Sequence, residues 1–134
     1  MVERAIINVK DVKPSTVRPF EGRRLRQLEP VFRDAAVCGS SVLEEVPPVI
    51  LIKDPKSGER LLYDGNHRLT LATIYGISMF PALIAEVGDT LVLEGFEHKI
   101  EPYEVSLCRE FGEKAKQAGY DSFDAFAKFA SGKK

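Results

Sequence analysis

The stretch PPVILIKDPKSGERLLYDGNHR, residues 47–68, decides the fold of this chain. Its residues 49–52 form a continuous, mostly β-branched run, which is typical of a strand buried on both faces. A turn over residues 54–58 follows, and residues 60–63 return as a second strand. We therefore predict a β-hairpin that ends at Gly65, a residue with the backbone freedom for a tight turn from strand into helix.

The predicted elements on either side of this hairpin alternate between strands and helices. Pro30 either lies in the first turn of its helix or kinks it, and Pro81 places its strand near a sheet edge or marks the strand's start. Gly76 is the expected C′ residue of the helix after the turn. The predicted strands are residues 5–9, 80–87, 90–93 and 96–100, and the predicted helices are residues 25–36, 67–75, 102–118 and about 122–129.

Length and composition predict one domain for residues 1–134. The chain is 44% hydrophobic and 29% charged, which suits one buried core, and it contains no internal repeat or long linker. We predict a single α+β domain with a small mixed β-sheet, packed helices and a C-terminal helical appendage. A shortage of Asn, Gln, Cys and Met is typical of heat-adapted proteins.

The charge balance excludes a protein that coats nucleic acid by charge alone. Nineteen Lys and Arg oppose twenty Asp and Glu, for a formal net charge of -1. The basic cluster Arg23, Arg24 and Arg26 would line a phosphate groove or bind a nucleic-acid backbone, although such a run more typically forms a solvated face. No apolar run reaches the roughly 20 residues of a membrane helix, and the N-terminus lacks a signal-peptide pattern. We expect a cytoplasmic protein with no membrane partner.

Neither cysteine belongs to a metal or redox motif. Cys38 and Cys108 are far apart and outside any CxxC pair, so we expect free thiols rather than a disulfide. His98 has no second ligand at metal spacing and is interpreted as structural. The last helix has an apolar stripe that predicts either a core face or a self-association face, and a homodimer stays open. That stripe consists of Phe123, Phe126 and Phe129.

The strand-to-helix turn Asp64-Gly65-Asn66-His67-Arg68 is the candidate chemical site. A helix start presents unpaired N–H groups and the positive end of the helix dipole, so it favours anions. His67 adds a polar side chain, Arg68 has the fork that binds two phosphate oxygens, and Asp64 has the carboxylate that a divalent cation prefers. The alternative is that Asp64 caps the helix and that His67 and Arg68 are ordinary first-turn residues. Spacing alone leaves both open.

The order of these features resembles the ParB/sulfiredoxin-like superfamily. Residues 12–87 match its core: a strand led by proline, a hairpin partner, a glycine-containing phosphate turn that ends in His-Arg, a helix and a proline-containing strand. The hairpin and helices of residues 88–130 lie beyond that core. Sulfiredoxins have a catalytic cysteine where this chain has Asn66, so sulfinic acid reduction is not expected. The Gly22–Arg26 segment looks like the basic box of ParB proteins, but it precedes the hairpin.

Within that superfamily the turn is most similar to the free serine kinases, which also have a Pro-x-Glu segment like Pro19-Phe20-Glu21. The resemblance implies that Glu21 is the catalytic base and that Asp64 belongs to the catalytic site. It also implies a nucleotide (ADP, ATP or CTP), with Mg²⁺ as a further candidate. The residues implied to bind the nucleotide and its phosphates are Gly65, Asn66, His67, Arg68, Thr70 and Arg24.

The predicted function is therefore nucleotide-phosphate binding, with phosphotransfer to a small hydroxyl compound such as free serine as the implied enzyme activity. The alternative is a DNA-binding partition-type module or a ParB-like nuclease module without nucleotide chemistry. The nearly neutral charge predicts that any nucleic-acid binding is weak at physiological salt.

Overall fold

The computed structural model describes residues 2–15, 29–34, 46–93 and 95–130, which form strands and helices in a mixed α+β arrangement. The strands are β1 (Glu3–Asn8), β2 (Val49–Lys53), β3 (Arg60–Asp64), β4 (Met79–Ala85), β5 (Thr90–Leu93) and β6 (Phe96–Lys99). The helices are α1, described over residues 29–34, α2 (Asn66–Ile74), α3 (Pro102–Gln117) and α4 (Phe123–Ala130), with a 3-10 turn at Val9–Asp11. The predicted α+β class with a small mixed sheet is confirmed.

Four strands form the main sheet in the order β1-β4-β2-β3. β1 and β4 are antiparallel, β4 and β2 are parallel, and β2 and β3 form the predicted antiparallel hairpin. Every residue from Val49 to Ile52 is buried, as predicted from the β-branched run. This burial is explained by β2's place between two neighbouring strands and by the packed layers on both faces of the sheet.

The two faces of the sheet support separate hydrophobic cores because side chains alternate along β2. Leu51 points into the first core, which includes residues of α2 and α4 and the stacked rings of Phe32 and Phe80. Ile50 and Ile52 point into the second core, which α3 and the β5–β6 hairpin cover. The sheet is therefore the central layer that positions the α2 start on one side and α3 on the other.

Pro81 lies in an internal strand, so the edge placement that its sequence allowed is wrong. β4 pairs with β1 on one side and with β2 on the other. Pro81 faces Ile6 of β1, but the pairing with β2 begins only at Ala82. Pro81 is the third residue of β4, near the start of the strand but not at it, and its missing N–H is tolerated because it comes before the parallel ladder with β2.

The C-terminal elements complete both cores. α4 packs against α2, and Phe123 is only 3% exposed in the first core, so this part of the predicted apolar stripe is a core face. α3 buries Val105 and Cys108 in the second core. Cys108 is a free thiol, as expected, whereas Cys38 lies outside the described residues. None of the helices in the described ranges is long and apolar enough to cross a membrane.

Candidate functional site

The predicted turn is present: β3 ends at Asp64 and α2 begins at Asn66. Gly65 is the N-cap residue, with φ +128° and ψ 16°, a conformation that other residues rarely adopt. A Cβ atom on Gly65 would also lie 2.4 Å from Cγ1 of Val49 in β2. Glycine is therefore required both for the backbone conformation and for the close packing of the turn against the sheet.

A β-bulge precedes the turn. Leu51 of β2 faces Leu62, but the next residue, Ile50, faces Asp64, so Tyr63 is the extra residue on β3. Tyr63 packs against the second core. The bulge ends the regular pairing of β3 where the chain must turn into α2.

Arg68 was predicted to hold phosphate, but its guanidinium binds three oxygens of the protein instead. Nη1 donates to the carbonyl oxygens of Pro47 at 2.7 Å and Pro48 at 2.8 Å, and Nη2 donates to Asp64 Oδ2 at 2.9 Å. Arg68 is only 6% exposed. Arg68 therefore connects the segment before β2 to the turn, and both of its terminal guanidinium nitrogens donate hydrogen bonds to protein oxygens.

Asp64 and Thr70 also have protein partners. The Asp64 side chain is 56% exposed and forms the ion pair with Arg68. It is not the helix cap that the alternative interpretation proposed, because that position belongs to Gly65. Thr70 is fully buried, and its hydroxyl donates to the carbonyl oxygen of Asn66 at 2.8 Å. The Thr70 hydroxyl is therefore directed into the helix backbone.

Asn66, the first residue of α2, holds the segment that follows β1. Its Oδ1 accepts a hydrogen bond from the Ser15 backbone N–H at 3.0 Å, and its Nδ2 donates to Ser15 Oγ at 3.2 Å. His67 is half-buried, and its Nε2 atom is buried. Of residues 64–68, Asn66 is the one that lines a cleft at the protein surface.

The cleft lined by Asn66 is open and lies between the end of β3 and α3; it is here called the Asn66 cleft. Its volume is about 480 Å³. Pockets of about 300–1,000 Å³ are typical for small ligands. Its lining residues are Ser15, Leu62, Tyr63, Asn66, Tyr103, Glu104, Leu107, Cys108 and Phe111. The cleft joins a polar end at the α2 start to an apolar wall on α3.

A buried carboxylate, Glu104, organises one side of the Asn66 cleft. Its Oε1 accepts the Tyr63 hydroxyl at 2.8 Å and lies 2.7 Å from His98 Nε2, while Oε2 accepts the Glu101 backbone N–H at 2.8 Å. Burial acts to raise the pKa of Glu104, but the hydrogen bonds from Glu101, His98 and Tyr63 together hold that pKa below its usual value. Burial, and then Glu104, raise the pKa of Tyr63.

Sequence reasoning missed this Glu104 cluster and interpreted His98 as an isolated structural residue. The available signal was the spacing of Glu101 and Glu104 around Pro102, which form a capping box at the start of α3. At the start of α3, carboxylates therefore accept hydrogen bonds from backbone N–H groups. The start of α2 differs, because Gly65 provides no side-chain acceptor for the first-turn N–H groups.

Glu21 and Arg24, and with them the whole Arg23–Arg26 cluster, lie outside the described residues. Their predicted roles therefore stay predictions. Within the ranges that the structure describes, no three or more His, Cys, Asp or Glu side chains form a group that could hold a metal ion.

Comparison with protein-family models, with curated proteins and with solved structures finds no match to this chain. The resemblance to the ParB/sulfiredoxin-like superfamily stays a prediction from its motifs.

Proposed function

We propose that this protein binds a nucleotide through its phosphates, at the start of α2 in the Asn66 cleft. The observation that carries the proposal is that a glycine-capped helix start opens, at Asn66, into a cleft of small-ligand size. The fold that we propose with it is the ParB/sulfiredoxin-like one, in which such a turn binds phosphates.

The electrostatics of this helix start favour an anion. The first N–H groups of a helix have no partner within it, and the dipole adds about half a positive charge there. Gly65 contributes no carboxylate or hydroxyl that would occupy those N–H groups. Phosphate oxygens are acceptors of the right charge for this position.

The side chains beside the α2 start are hydrogen-bond donors. The Asn66 amide has two N–H groups, of which one is given to Ser15 Oγ. The Ser15 hydroxyl is a further donor in the lining of the same cleft. We assign phosphate contact to the side-chain amide and the backbone N–H of Asn66, and we assign Arg68 the role of a positioning residue that holds the turn.

Phosphotransfer to a small hydroxyl compound is the enzymatic part of the proposal, and it rests on the resemblance. The acceptor oxygen would bond to the terminal phosphorus, the bridging P–O bond would break, and Glu21 would take the hydroxyl proton. Magnesium is held in proteins by one or two carboxylates together with substrate phosphates, and Asp64 is the exposed carboxylate that the turn offers. Labelled ATP incubated with free serine and a panel of hydroxyl compounds tests this step.

The binding proposal is tested with Asn66→Asp and a matched control, Asn8→Asp. The new carboxylate should repel phosphate, while an acidic residue in the first turn favours the helix itself by about 0.3–1 kcal/mol. Asn8 lies on β1, at the opposite edge of the sheet from β3. Its Oδ1 accepts the backbone N–H of Lys10, and an aspartate at this position keeps that acceptor oxygen. Calorimetric titration with ADP, ATP and CTP, with and without Mg²⁺, should show binding by the wild type and Asn8→Asp and at least a tenfold weaker affinity in Asn66→Asp.

Equal affinity in all three proteins would place the nucleotide elsewhere, and absence of binding by the wild type would end the proposal. The DNA-binding alternative is tested by measuring the affinity for duplex and single-stranded DNA over a series of salt concentrations. Tight, sequence-dependent DNA binding without nucleotide binding would favour the DNA-binding alternative, because nonspecific phosphate contacts weaken steeply with salt.

A further inference from the structure

We propose that the α3 wall of the Asn66 cleft binds the nucleobase of the nucleotide. This inference rests on the proposed function, because it assigns the second end of the same ligand. The wall is formed by three side chains, here called the α3 stripe: Tyr103, Leu107 and Phe111.

The α3 stripe is exposed although its residues are large and apolar. Tyr103 is 59% exposed, Leu107 41% and Phe111 44%. The three residues are four positions apart, so they lie along one face of the helix. The opposite side of α3 is already occupied, since Val105 and Cys108 are buried in the second core. Packing of α3 on the sheet therefore does not account for the stripe, and exposed apolar patches often mark binding grooves.

The position of the α3 stripe selects the kind of ligand. The stripe and the donors at Asn66 and Ser15 line one cleft. A single ligand that uses both parts needs an anionic end and an apolar end. A nucleotide meets that need, because its phosphates suit the helix start and its flat base stacks on aromatic side chains.

The polar side chains Tyr63 and Glu104, which line the cleft together with the α3 stripe, are hydrogen-bonded to each other. Both oxygens of Glu104 already accept hydrogen bonds, from Tyr63 and from the Glu101 N–H, and Oε1 also meets His98. Stacking tolerates any base because every base has a π-face. We therefore expect ATP and CTP to bind with similar affinities.

The experiment compares the affinities of ATP, CTP and inorganic tripolyphosphate for the full chain and for three variants. Tyr103→Ala and Phe111→Ala shorten the stripe at exposed positions, where substitutions usually change stability little. Phe96→Ala is the matched control, since Phe96 is an aromatic residue on β6 that is 77% exposed and outside the cleft lining. Thermal unfolding of each variant verifies that the fold is intact.

We expect at least one stripe variant to bind ATP and CTP with about tenfold lower affinity, in line with the usual contribution of base stacking. The same variant should bind tripolyphosphate with unchanged affinity. Phe96→Ala should leave all three affinities unchanged. If ATP binds and neither stripe variant weakens it, or if Phe96→Ala weakens it equally, the base does not lie on the stripe. If neither ATP nor tripolyphosphate binds, the proposed function fails, and this inference fails with it.

Discussion

Arg68 Nη2 donates a hydrogen bond to Asp64 Oδ2 at 2.9 Å, across the glycine that separates β3 from α2. The two residues were predicted to act on the phosphates of a ligand. Because Arg68 also binds the carbonyl oxygens of Pro47 and Pro48, it joins three parts of the chain: the segment before β2, the end of β3 and the first turn of α2. In the proposed function, phosphate would therefore be bound by the start of α2, and Arg68 would hold that turn in position rather than contact the ligand.

The first prediction concerns Arg68. Arg68→Ala should lower the free energy of unfolding by about 3 kcal/mol, because it leaves two carbonyl oxygens and a carboxylate without their donor. Arg68→Lys should recover less than half of that loss, since an ammonium group lacks the guanidinium fork. Urea unfolding of both variants measures these effects. Full stability of Arg68→Ala combined with loss of nucleotide binding would instead assign Arg68 to the ligand.

Gly65 gives a second prediction, with Gly76 as its control. Gly65→Ala combines a positive φ with a Cβ placed 2.4 Å from Val49, so we expect a loss of about 3 kcal/mol or failure to fold. Gly76→Ala also has a positive φ, +71°, but its Cβ meets nothing within 4 Å, and we expect a loss of about 1 kcal/mol. Thermal and urea unfolding compare the two. Equal losses would contradict the close packing of the turn on β2.

The Glu104 cluster predicts a pH dependence. Glu104 has a lowered pKa in the folded protein, so its contribution to stability is complete above the unfolded pKa of about 4.3 and is lost as the pH falls through the folded value. Glu104→Gln should lower the free energy of unfolding by about 2 kcal/mol at pH 7. Both carboxylate oxygens of Glu104 accept hydrogen bonds, whereas the NH₂ group of a glutamine cannot accept one. The stability difference from the wild type should shrink as the pH falls below about 4.

Glu113→Gln, on an exposed position of the same helix, controls for the loss of an acidic charge. It should change stability by less than about 0.5 kcal/mol at any of these pH values. A stability difference for Glu104→Gln that stays constant between pH 7 and pH 3 would contradict the role of its charge.

Cys108 should be an unreactive thiol. Burial, and then the charge of Glu104, raise the pKa of Cys108 to about 11. In a Cys38→Ser background, iodoacetamide at pH 8.5 should modify Cys108 roughly 100-fold more slowly than a free cysteine, since few thiolates are present and access is limited. The rate should rise with pH toward a midpoint near the raised pKa. A midpoint at the pKa of an ordinary cysteine would contradict the burial of this side chain.

Local patterns predicted most of the fold. The β-branched run before Lys53 predicted a buried strand, and Gly65 and Gly76 predicted the two ends of α2, because strand burial and helix ends depend on neighbouring residues. The placement of Pro81 could not be settled in the same way. Strand order decides whether a proline lies at an edge, and strand order depends on pairings between residues far apart in sequence.

The strand-to-helix turn was predicted in position, but the contacts of its side chains were not. Arg68 finds acceptors at Pro47 and Pro48, about twenty residues earlier, and Tyr63 finds Glu104 forty-one residues later. Such contacts are set by the packing of α2 and α3 on the sheet, for which a five-residue motif holds no information. Asn66 was predicted correctly as a turn residue, but its hydrogen bonds to Ser15 depend on the same long-range packing.

The most direct test of nucleotide binding at the α2 start is the NMR spectrum of the backbone amides during titration with ATP. Hydrogen bonds to phosphate should move the backbone amide proton of Asn66 strongly downfield, while that of Phe96, which lies outside the cleft lining, should move little. The same titration of Asn66→Asp should remove the shifts. Large shifts confined to other parts of the chain, or none at saturating ATP, would contradict the account.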